Sequence, residues 1–194
     1  TVLPGVYREH GNPANGGAED KRIVYRSSVK NGAVITGAEE VKGWERLEGG
    51  VWTVRVSNSV FGDYNPYTTL VRGDWFVASF IAHTGEVYIN DRALYEVTEP
   101  GGVKNPVRNI RSWDPDNTVY TWYSEQDEKT DETVFLANFG ELDPNEERVE
   151  INVRRYCFYP LTEGRGYITL SGFKVDKAAT QWAPPTAYQE GMIG

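Results

Sequence analysis

Glu9, Asp63 and Asp74 are the first side chains to weigh for chemistry, because paired carboxylates serve as acid, base or nucleophile at a glycosidic bond. The chain carries 28 Asp and Glu residues, so some pair always falls close together. For each of the three, a solvated or turn-capping role is the simpler reading. A tryptophan such as Trp75 offers an indole face that suits the apolar C–H face of a pyranose and excludes water from it. Its alternative role is an anchor between two parts of the fold. Asp74 beside it is suited to hydrogen-bonding hydroxyls or to capping a turn. Gln181 and Trp182 precede Pro184-Pro185. A glutamine amide both donates to and accepts from hydroxyls, while a tryptophan beside two prolines also serves as a packing wedge.

Other chemistries find little support. His10 and His83 are the two histidines, and neither has a second His or a carboxylate at metal-ligand spacing, so no metal and no other cofactor is expected. The single cysteine, Cys157, rules out an internal disulfide. It lies in the apolar run Tyr156-Cys157-Phe158-Tyr159 and reads as a small buried hydrophobe. There is no Gly-x-Ser-x-Gly nucleophile elbow, phosphate-binding glycine loop or dinucleotide fingerprint. A formal net charge of -8 without a basic run argues against a nucleic-acid partner. No stretch of about 18 apolar residues is present, so no membrane partner is expected. Aromatic residues make up 13%, which fits both sugar-binding surfaces and cross-strand pairs in a β protein.

The elements that must position these residues are strands. Helical periodicity is nearly absent, and short alternating or apolar runs are separated by Gly, Asn, Asp and Pro. Residues 1–47 hold short strands at Arg22–Arg26 and Ala33–Gly37, too brief to stand alone and too close for a crossover helix. That pattern predicts stacked coils of short parallel strands with variable corner loops. Residues 48–147 change character. Val51–Val56 alternates, Gly85–Val97 reads as a hairpin turning at Asn90-Asp91, and Thr118–Tyr123 with Thr133–Asn138 flank an acidic turn, Glu125–Glu132. These strands predict an antiparallel β-sandwich, and the acidic turn reads as a solvated loop rather than a metal site. Residues 148–194 return to the first pattern, with rungs expected at Val149–Arg154 and Tyr167–Val175. Thr1-Val2-Leu3 reads as the end of a strand already under way, and the chain is read as truncated at both ends.

Several phrases carry a family resemblance: Gly5-Val6-Tyr7-Arg8-Glu9, Lys21-Arg22-Ile23-Val24-Tyr25, Val34-Ile35-Thr36-Gly37 before Val41-Lys42-Gly43-Trp44, and Phe61-Gly62-Asp63-Tyr64-Asn65-Pro66-Tyr67. Gly73-Asp74-Trp75-Phe76, His83-Thr84-Gly85-Glu86-Val87-Tyr88, Ala137-Asn138-Phe139 and Ala179-Thr180-Gln181-Trp182-Ala183-Pro184-Pro185-Thr186 follow. In this order the chain resembles the N-terminal portion of right-handed parallel β-helix glycoside hydrolases of the family 120 β-xylosidase type. The resemblance implies an all-β fold: right-handed parallel β-helix coils interrupted by an inserted antiparallel β-sandwich. It implies a retaining exo-glycosidase releasing xylose from β-linked xylo-oligosaccharides, with the catalytic Asp and Glu beyond Gly194 and none within this chain. Trp75 is then placed on a sandwich loop leaning over the cleft, and Trp75, Asp74, Gln181 and Trp182 become the substrate-binding candidates. The expected partner is a xylo-oligosaccharide; a homo-oligomer is left open, as is the compartment. Two other readings remain: a non-catalytic carbohydrate-binding module, and a polysaccharide lyase on the same scaffold. The lyase would need basic residues for a substrate carboxylate, and these form no cluster here.

Overall fold

The computed structural model describes residues 1–73, 81–181 and 191–194. Among them the chain is almost all β. The strands run β1 (Gly5–Tyr7), β2 (Ile23–Arg26), β3 (Ala33–Thr36), β4 (Ala38–Glu40), β5 (Glu45–Glu48), β6 (Val51–Ser57) and β7 (Val87–Ile89). They continue as β8 (Arg92–Ala93), β9 (Tyr95–Glu96), β10 (Thr121–Asp127), β11 (Glu132–Asn138), β12 (Val149–Asn152), β13 (Ile168–Ser171) and β14 (Lys174–Asp176). One short helix, α1 (Pro100–Lys104), lies between β9 and β10.

The chain divides into two compact units. The first comprises Thr1–Ala38, Arg72 with Gly73, and the residues from Arg154 on; the second comprises Glu39–Val71 and the residues through Val153. Both terminal segments therefore share one unit.

Among the described residues, the named strands of the first unit pair in parallel. β3 lies between β1 and β14, with Val34 opposite Val6 on one side and Lys174 on the other. β2 pairs with β13, setting Ile23 opposite Ile168 and Arg26 opposite Ser171, and Ser27 continues this ladder to Val2. Phe158 bridges Gly11 and Ile193 in a third ladder. One pass visits Gly11, β2 and β3; the next visits Phe158, β13 and β14 in the same order. Strands of three or four residues cannot hold together alone, and parallel neighbours need a long return, so stacking successive coils is what stabilises them. Gly172, at φ 76°, turns the corner between β13 and β14. Ile35, Cys157 and Phe158 are buried at the centre, with Tyr25, Ile168, Leu170, Phe173, Val175 and Ala178 packed against them.

The second unit is a two-sheet sandwich. One sheet has the order β5-β6-β11-β10-β9, the other β4-β12-β7-β8. Alternation selects the inner face: along β11, Thr133, Phe135 and Ala137 are buried while Val134 and Leu136 are only partly so. Trp52, Val54, Trp122, Phe135 and Ala137 meet Val87, Ile89, Val149 and Ile151 across a core closed by Trp44, Phe61, Tyr67 and Phe139. The expected hairpin forms at β7–β8, with Asn90 and Asp91 at φ 51° and 66°, the pair of left-handed residues that a tight two-residue turn needs. Val149–Asn152 departs from expectation. It is no coil rung but pairs antiparallel with β7, Val149 opposite Ile89, inside the sandwich. Spacing of about one coil from Ile168 is met equally by a strand that merely precedes the return to the coils.

Candidate functional site

Of the four expected sugar contacts, Asp74, Trp75 and Trp182 lie outside the described residues. Gln181 is described: its Oε1 accepts the Arg72 backbone N–H at 3.0 Å. Residues 109 positions apart are thereby tied together in the first unit. One flanks Asp74 and Trp75, the other flanks Trp182. This bond joins Arg72, two residues before Asp74, to Gln181, the residue before Trp182.

The second unit builds an anchor on either side of positions 74–80. Leu70 and His83 form an antiparallel bridge, and the Val71 N–H donates to Ala82 O at 2.8 Å. Glu96, on β9, fixes the returning residue: one oxygen accepts the His83 backbone N–H at 2.9 Å, and the other lies 2.5 Å from His83 Nδ1. His83 thus has a carboxylate partner, Glu96, that is not at metal-ligand spacing in the sequence. Sequence spacing hid it because Glu96 stands on a different strand, across a hairpin. The pair is a clasp on the backbone, with both side chains about one-fifth exposed.

Beneath that anchor sits a buried polar cluster. Asn152, 1% exposed, accepts from the Glu86 N–H at 2.8 Å and the Tyr67 hydroxyl at 3.1 Å, and donates to Thr84 O at 3.1 Å. Buried amides need such partners, since an unmade bond costs more than a made one contributes. Burial, reinforced by the charge of Glu86, pushes the Tyr67 hydroxyl pKa well above its ordinary value, so the group stays a neutral donor. The cluster fastens the Asn65–Thr69 turn, where the Thr84 N–H also donates to Thr69 O at 2.9 Å, to β7 and β12. No sequence signal marked it; an Asn inside an apolar strand, Val149-Glu150-Ile151-Asn152, is the trace that could have.

The remaining candidates are dispersed. Glu9 and Asp63 are exposed, Asp63 in the turn after the 3-10 segment Asn58–Phe61. His10 Nε2 lies 2.7 Å from Tyr159 O, and its ring packs at 5.8 Å from Tyr156. Cys157 is fully buried; burial, then the nearby Asp176 charge, raises its thiol pKa to about 12, which leaves it protonated and poorly nucleophilic. Among the described residues no group of three His, Cys, Asp or Glu side chains is arranged to hold a metal.

Residues 41–151 match the family described as glycoside hydrolase 120, insertion domain. Among solved structures, the chain is similar to that of XylC in complex with xylose. The identity is 41% and the TM-score 0.91, covering 100% of this chain. This chain spans 33% of the XylC chain, about a third of its length. No curated protein matches.

Proposed function

The chain belongs to glycoside hydrolase family 120, and from that premise we propose that it is part of a retaining exo-glycosidase that releases xylose from β-linked xylo-oligosaccharides. The observation that carries this reading is the likeness of the whole chain to XylC, a protein whose solved structure holds xylose. In this reading the parallel ladders of the first unit continue as a right-handed β-helix. The nucleophilic Asp and the acid/base Glu stand on coils outside residues 1–194, about 5 to 5.5 Å apart as retention requires. The Asp attacks the anomeric carbon; the Glu protonates the leaving oxygen and then activates water.

This chain then supplies scaffold and sugar contacts on the leaving-group side. Trp75 covers the apolar face of that sugar and Asp74 accepts from its hydroxyls, with Trp182 lining the same side. Gln181 fixes the backbone of Arg72, two residues before Asp74, by accepting its N–H. The Leu70–His83 ladder and the Glu96 clasp hold the second-unit residues flanking 74–80, so binding energy is not spent ordering them.

The test is turnover of an aryl β-xyloside by the complete protein. Trp75→Ala should raise KM roughly ten-fold, the equivalent of about 1.4 kcal/mol of lost sugar contact. An unchanged KM with a lowered melting temperature would mark Trp75 as an anchor. A complete protein that binds xylo-oligosaccharides without turning over any xyloside would replace the hydrolase reading with a binding module.

A further inference from the structure

Between α1 and β10 the second unit carries a loop with an unusual surface. Val107, Ile110 and Trp113, spaced three apart, are 83%, 75% and 91% exposed. The loop itself is firmly built. Arg108 donates to Asp116 Oδ1 from Nε at 2.9 Å and from Nη2 at 2.7 Å. The Thr118 hydroxyl accepts from the Asn109 N–H and donates to Pro115 O, both at 2.8 Å. The Asn117 amide donates to the Asp114 carboxylate at 2.7 Å. An indole held in solvent on such a support is pre-organised, so a ligand meets it with little ordering cost.

Beside the loop lies a cavity of about 310 Å³, with Tyr95, Asn105, Val107, Asn109 and Thr118 in its walls. That volume falls at the lower end for small-molecule sites. The Tyr95 hydroxyl lies 3.4 Å from that of Ser112, the chain neighbour of Trp113, which ties the loop to the cavity wall. Among the described residues the side chains of Asn105 and Arg111 make no hydrogen bond.

Resting on the xylosidase reading for the identity of the sugar, we propose that this loop is a second, non-catalytic platform for a pyranose of a xylan chain. The Trp113 indole takes the apolar C–H face, while Asn105 in the cavity wall and Arg111 on the loop bond hydroxyls. A protein partner is the less fitting occupant. Stable protein interfaces bury about 800 Å² per side around a continuous apolar centre. Here the apolar side chains alternate with Arg108, Asn109, Arg111 and Asp114, a pattern matched to a ligand that is itself part apolar and part hydroxylated.

The experiment is affinity electrophoresis of the complete protein in gels containing soluble xylan, with xylose present to fill the hydrolytic site. Trp113→Ala should abolish retardation by xylan and Trp113→Tyr should restore part of it. Both should leave the melting temperature and the kcat/KM for an aryl β-xyloside unchanged. Undiminished retardation of Trp113→Ala overturns the proposal. So does a change in oligomeric state on sedimentation, which would assign the patch to a protein contact. Wild-type protein that is retarded through Trp113 but turns over no xyloside would remove the hydrolase reading and leave the platform intact.

Discussion

Arg55 reaches from β6 across β11 to the acidic turn, where one nitrogen donates to Asp127 Oδ2 and to Glu132 Oε2, each at 2.9 Å. The Arg55 bond holds the Asp127 carboxyl below its ordinary pKa; for Glu132 the Thr130 hydroxyl comes first and Arg55 second. Both folded values lie beneath the ordinary carboxylate values of 3.8 and 4.5. The network's stabilisation is therefore fully present above about pH 4.5 and is lost as pH falls through the depressed folded values. Arg55→Met should lower Tm at pH 7 by roughly a few degrees at most, because the side chains are partly solvated. The gap to wild type should close as thermal scans descend below pH 4; a gap constant from pH 7 to pH 2 would disprove this linkage. At this scale the sequence was least informative. The acidic turn was readable as a solvated loop, but Arg55 lies 72 and 77 positions from its partners. Glu96 and Asn152 are equally distant in kind: each acts through a residue that only the sheet brings near.

Turns and short strands were more legible, because their chemistry is local. Asn90-Asp91 announced its turn through residues that tolerate left-handed backbone, and the alternation of β6 and β11 follows from one face being buried. Short strands such as β2 and β3 were recognisable from brevity and spacing, yet those signals could not tell the antiparallel β12 from the parallel-paired strands, since pairing partners are a long-range property. Two glycines separate the local from the long-range cause. Gly172 sits at φ 76°, and a Cβ there would meet nothing closer than 3.6 Å, so Gly172→Ala should cost about 1 kcal/mol from backbone strain alone. Gly37 needs no left-handed backbone, but a Cβ would lie 2.6 Å from Lys177 O and 2.7 Å from Ala178 Cα. Gly37→Ala must push one coil off the next, at about 1–3 kcal/mol. Urea titration should rank Gly37→Ala as the more destabilising; the reverse order would mean that coil spacing is slack and corner geometry governs.

For the molecule as a whole, the division into a parallel-paired unit and a sandwich has a folding consequence. The β2–β13 ladder joins Ile23 to Ile168, so the first unit closes only across a very long stretch of chain. Every residue of the larger core, from Val41 to Val153, comes from between those segments. The sandwich therefore has all it needs to form first. Once formed it brings the returning chain back, and in the first unit Arg154 N–H donates to Gly37 O at 3.0 Å. Residues 39–153 expressed alone should thus fold by themselves. The expected result is one cooperative urea transition, coincident by tryptophan emission and circular dichroism, with Trp52 and Trp122 buried as in the whole chain. A fragment that keeps strand signal but binds a hydrophobic dye and melts without cooperativity would show that the coils are required to order the sandwich. The dependence of the two units would then run opposite to that implied by where their core residues lie in the chain.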